Sequence, residues 1–311
     1  AWRKRTQATS WYNETLNTAT RGSRKDFPSV AVIVATTTTV TIYDGDTPDL
    51  DMWMVFDGGS ASDMLINTTA AYPLQAIEMI NGIFTTGIPS FGMHRVSFIN
   101  DKGEYLNTTG LRKYNGGISE RNDAKSLGGY LDSVGLVNGT VNDVAMTVLP
   151  NAPIDSTTGL PIPTIAVATN GGVSVIKDDG NVWDITGQSI VTTFAYFSDE
   201  NELHTGGNWG SEWHVYDIPT ADITTSSVKR SYNSSTVLYP SFLSASVASA
   251  STVLNGRFAK GVSAGLNLVS DEDVKSSSSV AYLTSDYNTG WMNGDIKGAW
   301  LADTDTTNVV G

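Results

Sequence analysis

Val96-Ser97-Phe98-Ile99-Asn100-Asp101-Lys102-Gly103 recurs as Val173-Ser174-Val175-Ile176-Lys177-Asp178-Asp179-Gly180, and both copies run on to a Thr-Gly pair, Thr109-Gly110 and Thr186-Gly187. The offset is the same 77 residues at both ends, so the spacing matches without a gap. Each copy reads as an alternating strand, a tight Asp-x-Gly turn and a returning strand. A repeated hairpin in a chain with little helical periodicity predicts a repeating all-β architecture. The offset suggests two units of about 38 residues, close to the shorter propeller repeats.

Working outward, Val30–Val34, Val40–Tyr43 and Met52–Phe56 alternate like strands, with Asp44-Gly45 and Asp57-Gly58-Gly59 as turns. One helix is expected at Tyr72–Ile83, where Leu74, Ile77 and Ile80 recur at helical spacing between an early Pro73 and a late Gly82. Prolines 150, 153, 161 and 163 with Gly159 make 150–163 a loop. Further strand-rich units begin near 142, 164, 190, 210, 237 and 262. The expected fold is a β-propeller of about six or seven irregular blades over 29–302, with a double-sheet sandwich as the competing architecture. An extended basic N-terminal arm (1–28) would precede it. A linker-like stretch (303–311) would follow, as in a segment of a longer protein.

Composition sets limits on function. Of 311 residues, 40% are hydrophobic and 16% charged, enough for a full core. The net charge of −13 is uneven: residues 1–26 carry six basic side chains against Glu14 and Asp26, a surplus of +4, which leaves −17 for the rest. An acidic body disfavours nucleic acid as the main partner. No apolar run approaches the length of a membrane span, so no membrane insertion is expected. With no cysteine there is no disulfide, thiolate metal site or Cys nucleophile.

The basic arm reads as a subunit-docking element through Arg3, Lys4, Arg5, Trp11, Tyr12, Arg21, Arg24 and Lys25. Asp44, Asp46, Asp49 and Asp51 alternate in one loop and could hold a hard cation such as Ca²⁺, although Asp49 and Val55 stand where an EF-hand needs Gly and Glu; the other reading is a solvated acidic loop. His204, Asn208, Trp209, Glu212, Trp213 and His214 form the most varied cluster. It reads as packing, as a glycan contact made by Trp209, Glu212, Trp213 and His214, or, third in order, as an acid–base site. The histidines lack a ligand spacing, and no nucleophile elbow, P-loop or dinucleotide fingerprint is present, so no catalytic residue or cofactor is assigned. Five N-x-[ST] sequons (Asn13, Asn67, Asn107, Asn138, Asn233) are within reach of chance in so Ser- and Thr-rich a chain.

Three stretches, Ser10–Lys25, Pro163–Gly180 and Gly298–Thr307, resemble structural proteins of marine tailed bacteriophages, and the resemblance spans about residues 10–311. It implies a propeller-like, non-enzymatic virion protein of the tail (nozzle, hub or fibre base). Such a protein would assemble with copies of itself and with other tail proteins, and would attach to a host-surface glycan. The family has no catalytic motif to carry over. The alternative class is a carbohydrate-binding or carbohydrate-cleaving propeller.

Overall fold

The computed structural model describes residues 2–59, 63–187, 191–207 and 213–232, together with the strand segments 253–254, 257–262, 265–270, 280–284, 298–302 and 309–310. Apart from one helical turn at Trp2–Arg5 and short 3-10 turns, the regular structure among these residues is β. None of the helices described is long and apolar enough to cross a membrane.

The strands gather into five sheets. The first is the meander β1 (Ala31–Ala35), β2 (Thr39–Asp44) and β3 (Met52–Asp57). In β2 every second side chain, Val40, Ile42 and Asp44, is buried, as the period of a strand with one covered face requires. The second sheet runs in chain order through β4 (Ala76–Ile80), β5 (Ile83–Ile88), β6 (Gly92–Ser97), β7 (Lys102–Asn107), β8 (Gly110–Tyr114) and β9 (Leu127–Asp132). The third holds β10 (Val141–Thr147), β11 (Thr164–Thr169), β12 (Gly172–Ile176) and β13 (Val182–Thr186). The fourth holds β14 (Thr192–Phe197), β15 (Glu202–Gly207) and β16 (Trp213–Asp217). The short β17 (Ile223–Thr224) then pairs in parallel with β13, and β18 (Arg230–Tyr232) completes the fourth sheet. The fifth comprises β19 (Val253–Leu254), β20 (Arg257–Val262), β21 (Gly265–Ser270), β22 (Val280–Thr284), β23 (Gly298–Ala302) and β24 (Val309–Val310). Part of the stretch read as a linker is therefore a strand, because Val309 and Val310 pair with β23.

The two motif copies form β6–β7 and β12–β13, the third and fourth strands of consecutive sheets. The 77-residue offset is thus one step from sheet to sheet, not two units of about 38. The hairpins also close differently. Ser97 pairs with Lys102, whereas the second copy continues to Ile176 and Val182. Asp101 (φ 52°) and Gly180 (φ 89°) take the left-handed turn positions. Gly103 lies in a strand instead, where an added Cβ would come within 2.8 Å of Leu65.

Residues 72–83 are not helical. They enter β4, turn at Asn81-Gly82 and leave in β5. Both turn residues have positive φ (52° and 75°), the type I′ geometry whose twist matches an antiparallel pair. Both faces of β4 are partly covered, so its apolar residues show no alternation, and Ile77 and Ile80 fell at a helical spacing.

Nor are residues 1–28 an extended arm. Trp11 is fully buried in one core with Phe27, Val40, Ile42, Trp53, Phe56, Phe84 and Phe98, between the first two sheets. A second core (Met93, Leu106, Val141, Val144, Met146, Ile165) joins the second and third sheets, and a third (Ala166, Val175, Ala195, Phe197, Leu203) joins the third and fourth. The N-terminal segment meets the edge of β3, where Arg21 bridges Met54. The reason is aromatic: ring centroids of Trp11 lie 5.5 Å from Trp53 and 5.9 Å from Phe98 in edge-on geometry. Burying such a side chain stabilises by about 2–3 kcal/mol.

Candidate functional site

The cleft richest in chemistry lies on the second sheet, against the β10–β11 connection. Its volume is about 150 Å³, and its walls come from β5, β6 and β7 with their turns and from residues 155–162. Strand register places Glu78, Thr85, Arg95, Glu104 and Lys113 side by side across β4 to β8, a polar row on one face. Arg95 and Glu104 sit in the cleft wall with Lys102. The Glu104 carboxylate accepts from Arg95 Nε (2.8 Å) and Nη2 (2.6 Å) through Oε2, and from Lys102 Nζ (2.9 Å) through Oε1. Burial pushes this carboxyl up, but Arg95 and Lys102 outweigh burial and hold it below its ordinary pKa.

The opposite wall is held in place from both sides. Asp155 Oδ1 accepts from the amides of Thr157 (2.7 Å) and Thr158 (2.8 Å), which folds the loop on itself. Asn81 Nδ2 donates to Pro161 O at 2.9 Å, tying the loop to the type I′ turn. Arg5 donates to Thr157 O from outside. At the base, Asn100 N donates to Ser97 Oγ (3.3 Å), and the Asp101 carboxylate accepts from Ser10 N, Ser10 Oγ and Ile118 N. The first motif copy therefore builds one wall of the cleft.

A second group of carboxylates, half-buried, bridges the sheets. Glu78 Oε2 accepts from Met146 N (2.6 Å), joining β4 to β10, and Asp143 Oδ2 accepts from Ala195 N (3.0 Å), joining β10 to β14. Burial raises Glu78 to about 7, with Asp143 adding to the shift and the Met146 amide opposing it. Burial raises Asp143 to about 6 against its two backbone hydrogen bonds.

The residues singled out in the sequence fall elsewhere. Trp209, Glu212 and Asn208 lie outside the described residues. Trp213 is 1% exposed and donates from Nε1 to His204 Nδ1 at 3.0 Å, so it packs inside the fourth sheet and offers no face for a sugar to stack on. His214 is half-buried beside Tyr216. The acidic loop is not a cation cage. Asp44 and Asp46 are both bonded to Arg24, and Asp46 also accepts from Ser29 N and Val30 N; the Ser29 amide, then Arg24, then the Val30 amide lower Asp46 to about 2. Among the described residues no group of three or more His, Asp or Glu could hold a metal.

The basic docking set is largely spent within the chain. The Arg21 guanidinium is fully buried, donates to the carbonyls of Arg24, Lys25 and Trp53, and lies 4.5 Å over the Trp53 ring. Arg24 holds the acidic loop, Lys25 sits 4.6 Å over Tyr12, and Arg5 holds residue 157. Lys4 is exposed, and the Arg3 side chain lies outside the described residues. Local sequence could not show this, because Trp53, Asp44 and Thr157, the partners of Arg21, Arg24 and Arg5, lie 32, 20 and 152 residues away.

A scan against protein-family models finds no match to this chain, and neither does a comparison with curated proteins. Among solved structures it is similar to a protein of unknown function from Bacteroides caccae, with 7% identity, 78% of this chain and 91% of that chain covered, and a TM-score of 0.34. It is also similar to the extracellular domain of a hybrid two-component system from B. thetaiotaomicron, with 14% identity and a TM-score of 0.38; 81% of this chain and 30% of that chain are covered. At these scores the likeness carries no argument about fold or function.

Proposed function

We propose that this chain is a non-enzymatic structural module of a bacteriophage tail, a β-propeller-like body that assembles with copies of itself and with other tail proteins. The propeller reading is supported by sheets that follow one another in chain order, with the first strands β4, β10 and β14 adjacent. The assembly reading rests on β1. It pairs only with β2 among the described residues, and Val30, Val32 and Val34 are 58%, 37% and 43% exposed. Residues 29–43 carry no charged side chain. Monomeric proteins blunt such edges with charge or proline, so an uncharged valine edge suits pairing with another strand. The partner we assign is β1 of a second copy, since a self-complementary edge is the simplest two-fold contact. Light scattering on the protein and on Val32→Lys/Val34→Lys tests this. A wild-type oligomer that dissociates in the variant is expected; a wild-type monomer at high concentration would sink the reading.

The second reading, carbohydrate binding, is favoured by the cleft with its charged row and apolar rim. Glycan-array binding tests it, with no bound glycan as the opposing outcome.

A further inference from the structure

We infer that the cleft between the β6–β7 hairpin and residues 155–162 binds a carboxylate-bearing sugar, one uronic-acid unit of a polysaccharide. This inference rests on the carbohydrate-binding reading and names its ligand class. The charge comes first. Glu104 is shared by two cations, which leaves the triad one positive charge. The side chains of Arg95 and Lys102 are 25% and 37% exposed while Glu104 is 8% exposed, so the cations face the opening and the carboxylate lies behind them. Both Arg95 bonds use Nε and Nη2, so its other terminal nitrogen has no protein partner among the described residues. Lys113, exposed, continues the row beside Glu104, and Arg5 stands on the far rim at Thr157. Asp155 on the opposite wall cancels the triad's charge within the lining, so the positive surplus that draws an anion comes from Lys113 and Arg5 at the rims, on a chain whose net charge is −13.

The shape and lining then select among anions. A volume of about 150 Å³ is below the usual range of about 300–1,000 Å³ for drug-sized ligands, so one ring fits and an oligomer does not. Ile83, Leu160, Pro161 and Ile162 supply an apolar wall against which the C–H face of a sugar ring can lie. A free phosphate has no use for that wall. Arg95 offers the planar donor geometry that suits a carboxylate, with Lys102 as a point charge beside it. The cleft is preformed, because Asn81, Asp155 and Arg5 already fix its loop.

Saturation-transfer NMR on the whole chain tests this with glucuronate and galacturonate, against glucose for the neutral ring, and acetate and methylphosphonate for charge alone. Transfer to the uronates that exceeds all three controls is expected. Lys102→Gln should weaken it about tenfold, the loss of one charge-assisted contact. Arg95 remains on Glu104 in that variant, and circular dichroism checks that it is folded. Glucose or methylphosphonate binding as well as uronate, or a folded Lys102→Gln that binds unchanged, would overturn the assignment. Neutral glycans bound on an array with no uronate transfer would leave the carbohydrate reading standing and remove this one.

Discussion

Trp11 Nε1 donates a 2.7 Å hydrogen bond to the carbonyl of Phe98, the residue that opens the turn of the first motif copy. The N-terminal segment is thereby fastened to the hairpin that builds the cleft. Trp11→Ala should cost about 3–5 kcal/mol, as for a large core aromatic, read as a lower urea midpoint. Removal of residues 1–26 should abolish cooperative unfolding. A truncated chain with the wild-type midpoint and an altered oligomer size would restore a docking role to this segment.

Glu14 holds Arg121 through both carboxylate oxygens at 2.9 Å and lies 3.6 Å from Arg21. Both guanidinium side chains are at most 1% exposed. Glu14→Gln leaves two buried cations without their counter-charge, and a loss of about 3 kcal/mol is expected. Arg121→Lys should also destabilise, because one ammonium cannot replace donors that also reach Val55 O, Thr20 O and Ile118 O. Chemical denaturation of both variants measures this.

Glu78 has a native pKa raised to about 7, above its unfolded value of about 4.3. Between those values the unfolded chain has released a proton that the native state keeps, so this group's contribution to stability falls as pH rises through the window. Glu78→Gln keeps an acceptor for Met146 N and removes the charge. It should gain about 1–3 kcal/mol over wild type at pH 8 and nothing at pH 4. Equal differences at the two pH values would contradict the buried-carboxyl account.

Gly82 adopts φ 75°, and an added Cβ would sit 3.2 Å from Ile99. Gly82→Ala should cost about 1–2 kcal/mol from the left-handed backbone alone. Asn81→Ala also loses the 2.9 Å bond to Pro161 and should loosen the 155–162 wall. Thermal unfolding reads the first effect; amide exchange at Thr157 and Thr158 reads the second.

What local sequence showed was hairpin and strand chemistry. Val40–Tyr43 and Met52–Phe56 fall within β2 and β3, and Asp101 and Gly180 take the positive-φ positions. Residues 72–83 misled because Ile77 and Ile80, in a strand with both faces partly covered, mimic a helix face together with Leu74 just before it, although Asn81-Gly82 is the stronger, hairpin signal. The cleft was not legible. Glu78, Arg95, Glu104 and Lys113 lie in four different strands, and only pairing register makes them neighbours. The burial of Trp11 and Arg21 was equally hidden, since a basic, aromatic segment has the same composition whether it docks outward or folds home.

The carboxylates of Glu78 and Asp143 each grip a main-chain amide in the first strand of the next sheet. Each such bond involves only two neighbours in chain order. A nascent chain leaving the ribosome can therefore join the second sheet to the third as β10 emerges and the third to the fourth as β14 emerges, without waiting for its C-terminus. A lesion at one seam should release what comes after it and spare what was made before.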